Sequence, residues 1–291
     1  LVFDRCPVTS AKINSQGRLL MLGAGIMMIM FNYQDGWLRL RLLEDLLGQS
    51  YLHMLDMTTQ VTKRIFILGP SHYLHLAGKC SLATVTQYST PFYELPIDQA
   101  VYTELKRTGE FDQLPIDRDE EEHSIEMQLP YIAKVMERQR GSFAIVPVLV
   151  GLLSLEREAT YGRILAPYLI DPGNIFVISS DFCHWGHRFQ YTHYNPEKGE
   201  IWQSIKWLDE QGMQLIEDMN ADAFNAYLKQ CGNTICGQHP IGILLQMTSI
   251  LRHKHHVNRM DFKFVKYAQS ERCRNMNQSS VSYAAGSLQI L

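Results

Sequence analysis

Neither sign of charge dominates this 291-residue chain: 27 Lys and Arg face 30 Asp and Glu, a formal net charge of −3. That balance excludes the strongly basic face of a nucleic-acid binder. Cysteine is sparse. Cys6, Cys80, Cys183, Cys231, Cys236 and Cys273 contain no CxxC pair, which excludes a zinc ribbon or a thioredoxin-type redox motif. So few cysteines in a chain of this length do not make a disulfide scaffold, and free thiols in a reducing compartment are expected. Neither a Walker A loop nor a GxGxxG fingerprint occurs, so no nucleotide cofactor is expected. The apolar run Leu19–Phe31 falls short of the ~20 residues a spanning helix needs. Arg18 precedes it as in a signal peptide, but no small-residue cleavage site follows, and a buried helix or strand is the expectation. There is no internal repeat, low-complexity tract or linker.

The chain does have enough apolar residues, 46%, for a sizeable core. Residues 1–60 are rich in Leu and Met, and Arg39–Leu55 has the pattern of an amphipathic helix. From Lys63 onward, strand and helix patterns alternate. Ile65–Leu68 is a short apolar strand ended by Gly69-Pro70, and Cys80–Tyr88 reads as a partly exposed strand. A helix is predicted over 97–108, with Asp98 near its start, and Asp112–Glu122 reads as a solvated acidic loop. Ser124–Arg138 is a helix broken or kinked at Pro130, with Ile125, Leu129, Ile132 and Met136 inward. Phe143–Val150 and Ile175–Ser179 are buried strands, although Pro147 counts against a fully paired position in the first. Helices are predicted at 156–169, 200–219, 221–228 and 240–251, and strands at 260–268 and near the end of the chain. This order implies a single α/β domain around a mainly parallel or mixed sheet flanked by helices.

Three segments carry side chains suited to chemistry. Arg64–His72 and Asn174–Trp185 share one design, an apolar run ending in small residues and then His72, or Asp181 and His184. In α/β proteins ligands bind outside the carboxyl ends of the strands, so the two are expected to build one pocket. The third segment, Asn233–Pro240, carries Cys236 and His239 just before a predicted helix. A helix start lowers a nearby thiol pKa, and a thiolate beside two imidazoles suits Cu(I), Zn or Fe(II). Asp181 can ligate a metal or orient an imidazole. Cys236 and His239 could be read as nucleophile and base, but their close spacing is no evidence for a dyad. His123 and Glu126 fall on one face of a helix as a further ligand or acid/base pair, or as a cap. The His-rich run Arg252–His256 reads as an exposed loop.

Several long stretches in order resemble the Memo family (mediator of cell motility): RIFILGPSH at 64–72, TPFYELPID at 90–98, DEEEHSIEMQLPY at 119–131, IVPVLVG at 145–151, FVISSDFCHWG at 176–186, NTICGQHPIG at 233–242, then YAQSERCRN and SSVSYAAG. The likeness spans roughly residues 60–291, which suggests a divergent N-terminal segment over 1–60 and a Memo-like domain over 61–291. The resemblance implies a fold like the catalytic subunits of class III extradiol dioxygenases. It places His72, His184 and Cys236 in the pocket, with Asp181 beside them as second-shell group or ligand. It implies copper or iron as metals, a phosphotyrosine peptide of a receptor tyrosine kinase as partner at the same three residues, and a cytoplasmic, secondarily nuclear, role relaying such signals to microtubules in cell motility. A copper- or iron-dependent oxidoreductase is the alternative; robust dioxygenase activity is not expected, and no catalytic residue is assigned. The family's N-terminal His-Ala-Gly-Ser-Trp-Tyr and Pro-His-Ala-Gly-Tyr segments do not occur here. Counting back puts the missing pocket His near Arg41, so metal affinity is expected to be weaker than in intact members.

Overall fold

A computed structural model describes residues 62–290 except His256 and Asn258, together with the backbone of residues 25–29. The expected helix over 39–55 and the position near Arg41 lie outside the described residues.

The buried runs predicted from the sequence form the middle of one large sheet. Strand β1 is Gly25–Ile29, β2 Arg64–Pro70, β3 Cys80–Ala83, β4 Gln87–Tyr88, β5 Leu95–Pro96, β6 Phe111–Leu114 and β7 Ala144–Val150. They are followed by β8 Asn174–Ser179, β9 His184–Trp185, β10 Met260–Gln269 and β11 Ser280–Ile290. The sheet order is β10-β11-β1-β8-β2-β7-β3-β6, with β9 on β11 and a separate β4-β5 pair. β1, β8, β2 and β7 run parallel, and β11 and β10 add antiparallel strands at one side. The sheet is therefore mixed. Ile65, Phe66, Ile67 and Leu68 in β2, and Phe176, Val177 and Ile178 in β8, have no exposed surface. Such continuous burial is what parallel strands covered on both faces require. The Phe66 and Phe176 rings stack at 4.6 Å across these neighbouring strands.

Pro147 sits in β7, which pairs with β2 along its whole length. β3 meets β7 only at Leu149 and Val150. The Pro147 carbonyl accepts the Tyr102 hydroxyl at 2.7 Å. Its missing N–H therefore lies on the edge facing away from β2, between the Ile97–Ile145 bridge and the β3 pairing. No ladder bond is needed there, which reconciles proline with a central strand.

The helices are α1 Gln99–Arg107, α2 Ile116–Glu121, α3 His123–Glu126, α4 Leu129–Val135, α5 Leu155–Leu169, α6 Ile201–Glu217, α7 Ala221–Cys231 and α8 Gln238–Lys254. Asp98 is the N-cap of α1, accepting from the backbone of Ala100 and Val101 at 3.0 Å, and it also accepts from Arg64 at 2.6 Å. α5 and α8 pack on each other, and both contact β8.

Three expectations change, and the expected break near Pro130 is found. Cys80–Tyr88 is not one strand but the buried β3 and the separate β4. The acidic stretch Asp112–Glu122 is not a solvated loop: it contains most of β6 and all of α2, and it ends on Glu122, which is only 3% exposed. A buried carboxylate needs partners, and Glu122 has three, described below. The predicted helix over 124–138 divides into α3 and α4, and Pro130 sits in the first turn of α4, where its missing N–H costs nothing. Ile125, Leu129, Ile132 and Met136 are buried as expected. Finally, Arg252–Lys254 is not loop but the last turn of α8, where basic side chains complement the helix dipole.

Candidate functional site

The parallel pairing of β2 with β8 aligns Leu68 with Ile178, so both chains leave the sheet on the same edge. β2 runs two residues further than predicted, because the Ser71 N–H continues the ladder to the Val150 carbonyl at 2.9 Å. His72 then emerges beside Ser179, Ser180 and Asp181. Gly69 makes the next contact possible: a Cβ there would meet the Ser124 Oγ at 2.6 Å. Without one, α3 closes on the strand end. The His123 ring lies against the His72 ring, with centroids 4.6 Å apart and planes 19° apart.

A small cleft of only about 10 Å³ opens here, lined by Pro70, His72, His123, Ser124, Met127, Ser179, Ser180 and Cys236. The structure thus brings His72 and Cys236 together and adds His123. His184 and Asp181 do not line this cleft; they lie behind Cys236. The Cys236 Sγ accepts the Asp181 N–H at 3.0 Å, and the Gly237 N–H donates to the Ser180 Oγ at 2.9 Å. His184 Nδ1 is 3.0 Å from each of two carbonyls, those of Phe182 and Thr234. Carbonyls only accept, so Nδ1 carries the proton. His184 Nε2 faces the Asp181 Oδ2 at 3.5 Å.

These surroundings set the charges. Burial raises the Asp181 pKa, against the pull of His184 and His72. Burial alone would lower His184, but Asp181 and the two carbonyls hold it above its ordinary value. For Cys236 the expected lowering by a helix start is overturned: burial, then the Asp181 carboxylate, push the thiol up. Without a cation it stays protonated; coordination to a metal removes the proton outright. His123 is lowered by burial and by the neighbouring His72, so it is neutral at pH 7.

The donor chemistry fits copper or iron. Imidazole and thiol donors meet at one cleft, and behind them the Asp181 Oδ1, in a residue 2% exposed, has no hydrogen-bond partner. Among the described residues, the one group of three His, Cys, Asp or Glu side chains whose donor atoms lie within 4.8 Å of one another, close enough to hold a metal, is His72, Glu122 and His123. His72, His184 and Cys236 do not form such a group. Glu122 was missed in the sequence because it sits in a run of four acidic residues. The usable signal was its place directly before His123, at the start of α3. The pairing of His123 with Glu126 is not found, since Glu126 is exposed. His239 does not join the Cys236 cleft; its Nδ1 pairs with the buried Glu158 at 2.8 Å, on another cleft.

Residues 43–287 match the family described as Memo-like protein. The chain belongs to the Memo family. It is 53% identical over 230 residues to human Protein MEMO1, covering 79% of this chain and 76% of that protein. It is 53% identical over 228 residues to the zebrafish (Danio rerio) Protein MEMO1, covering 78% and 76%. The Protein memo-1 homolog of Caenorhabditis elegans is 47% identical over 238 residues, covering 80% and 66%. The family match begins at residue 43, earlier than the resemblance at about residue 60 had placed it. Among solved structures, the uncharacterized protein JW3007 of Escherichia coli K12 superposes with a TM-score of 0.50 at 13% identity, covering 89% of this chain and 99% of that one. That likeness concerns the fold alone. Among the described residues, no helix of this Memo-family chain is long and apolar enough to cross a membrane.

Proposed function

We propose that this Memo-family protein binds a copper or iron ion at the carboxyl edge of β2 and β8, through His72 and Cys236 at the cleft, with His184 turning from Asp181 to complete the site from behind the thiol and Asp181 beside them. Through this site it would act in cytoplasmic signalling between receptor tyrosine kinases and the microtubules of motile cells. The observation that carries the metal reading is the joining of His72 and Cys236 in one cleft, backed by the unpartnered Asp181 Oδ1. Imidazole and thiolate donors suit soft or borderline ions, and a bound copper or iron would supply one-electron chemistry. The protein's own share is to aim the His72 ring, to keep the Cys236 thiol enclosed, and to offset the cation's charge with Asp181 and Glu122. If the bound metal turns over a substrate, the protein is an oxidoreductase. The expected affinity is below that of family members with the N-terminal His.

Recognition of a phosphotyrosine peptide at His72, His184 and Cys236 is the competing use of the pocket. The two imidazoles favour it. Two carboxylates close by oppose a phosphate dianion, and none of the described cleft residues is Lys or Arg, so the charges favour a cation.

Anaerobic competition titration with Cu(I) and Fe(II) tests the metal reading. One-to-one binding, weakened at least tenfold by both His72→Ala and Cys236→Ser, is expected. Binding left unchanged by both substitutions, or no binding, would refute it. Tight binding of a phosphotyrosine peptide but not its tyrosine form, lost in His72→Ala, would favour the competing use.

A further inference from the structure

Glu122 is 3% exposed, yet its carboxylate spends little of its bonding capacity on holding α3 together. One oxygen accepts the His72 backbone N–H at 2.6 Å. The other lies 2.9 Å from the His72 Nδ1 and 2.9 Å from the Ser124 N–H. Only the Ser124 bond is a helix cap. The other two grip a single residue, His72, by its main chain and its ring. His123 does not compete for this carboxylate, because its Nδ1 is 3.6 Å away, beyond hydrogen-bond range.

We infer that Glu122 is a positioning residue that fixes His72 as the Nδ1–H tautomer and leaves the Nε2 lone pair free for the cleft. An ionised carboxylate can only accept, so the ring atom facing it must carry the proton. Histidines that bind metals commonly give their other ring N–H to a carboxylate, which fixes tautomer and orientation and makes the ligating nitrogen more basic. By this assignment Glu122 acts first as the partner of the His72 ring, since its two oxygens already accept from three N–H donors. The tautomer follows from the hydrogen bonds alone; its consequence for affinity rests on the metal-binding reading above.

The test is the nitrogen NMR signature of the His72 ring in metal-free wild-type protein, in Glu122→Gln, in Glu122→Leu and in Glu122→Asp. Wild type is expected to show a protonated Nδ1 and a bare Nε2. In Glu122→Gln the amide can no longer accept from all three N–H groups, because an NH2 facing Nδ1 also faces the Ser124 N–H and one facing the other way meets the His72 N–H. The share of the Nε2–H form is therefore expected to rise; in Glu122→Leu, with no acceptor, it is expected to rise further. Glu122→Asp keeps a carboxylate and is expected to keep more of the Nδ1–H form than Gln does. In the same proteins, Cu(I) affinity is expected to fall roughly 10–100-fold in Glu122→Gln. A wild-type ring in the Nε2–H form overturns the inference, and that result needs no variant to fold. A tautomer unchanged in a folded Glu122→Leu, which has no acceptor to offer the ring, overturns it too. If the tautomers behave as expected but wild type binds no metal, the metal reading fails and the positioning role stands.

Discussion

Asp209→Ala is expected to lower stability at pH 7 by about 3–5 kcal/mol, because it leaves several buried donors without an acceptor at once. Asp209 has no exposed surface. It accepts the Cys183 N–H at 3.2 Å, the Asn233 side-chain amide at 3.0 Å and the Tyr267 hydroxyl at 2.8 Å. One carboxylate on α6 thus ties together β10, the segment between Asp181 and His184, and the loop that leads to Cys236. Asn233 is followed by Thr234, whose hydroxyl accepts the His184 N–H at 2.7 Å and donates to the His184 carbonyl at 2.9 Å. Loss of Asp209 is therefore expected to loosen both halves of the proposed metal pocket as well as the core. Asp209→Asn should cost far less, because its carbonyl oxygen still accepts and the Tyr267 hydroxyl can turn to accept from the new NH2.

The same residue sets a pH signature. Burial pushes the Asp209 carboxyl up to about 6, against the opposing bonds from Ser282, Asn233 and Tyr267. An aspartate in an unfolded chain titrates near 3.9. Between these values the folded protein holds a proton that the unfolded chain has released, so the stability contributed by this group falls as pH rises from about 4 to about 6. Urea unfolding across that range should show this component in wild type and lose it in Asp209→Asn. Equal pH slopes in the two proteins, or an Asp209→Ala variant as stable as wild type, would show that the carboxylate is not the hub described.

The second large effect is expected at Gly237. Its φ is ordinary at −86°, so the constraint is space and not backbone conformation. A Cβ would run into the Ser180 side chain and stand 2.6 Å from the Ser179 carbonyl oxygen. Neither neighbour can yield freely, because Ser179 belongs to β8 and Ser180 is held by the Gly237 N–H. Gly237→Ala is expected to cost about 3 kcal/mol by overpacking and to push Cys236 away from His72, lowering Cu(I) affinity more than tenfold. Ser180→Ala is the control: it removes the bond to Gly237 without adding an atom, and should cost about 1 kcal/mol. Thermal unfolding and metal titration of the two variants separate these effects. A Gly237→Ala protein with wild-type melting and affinity would contradict the close approach of α8 to β8.

Much of this fold was legible because burial on both faces writes itself into sequence. The apolar runs of β2, β7 and β8 could hardly be anything else, and their small polar endings pointed to the edge where the pocket lies. The Asp98 cap and the break near Pro130 were equally readable, since each follows from local chemistry. Longer-range chemistry was not. Within Asp119–Glu122 only the place of Glu122 directly before His123 marks the acidic residue that folds inward, and its partner His72, 50 positions away, leaves no local trace. The fate of the Cys236 thiol was misread for a related reason: the helix start is visible in sequence, but the enclosing walls and the Asp181 charge that outweigh it come from β8. Asp209 escaped notice altogether, because its partners are scattered from Cys183 to Tyr267 and share no motif. The division at Cys80–Tyr88 was hidden because alternation continues across two strands that do not share a sheet.

The most direct test of the account is X-ray absorption at the metal edge of the copper- or iron-loaded protein, beside Cys236→Ser. The account predicts a sulfur ligand together with imidazole nitrogen around the metal in wild type, and loss of the sulfur in the variant. A coordination sphere of nitrogen and oxygen only, or a spectrum that the Cys236→Ser substitution leaves unchanged, would place the metal elsewhere and contradict it.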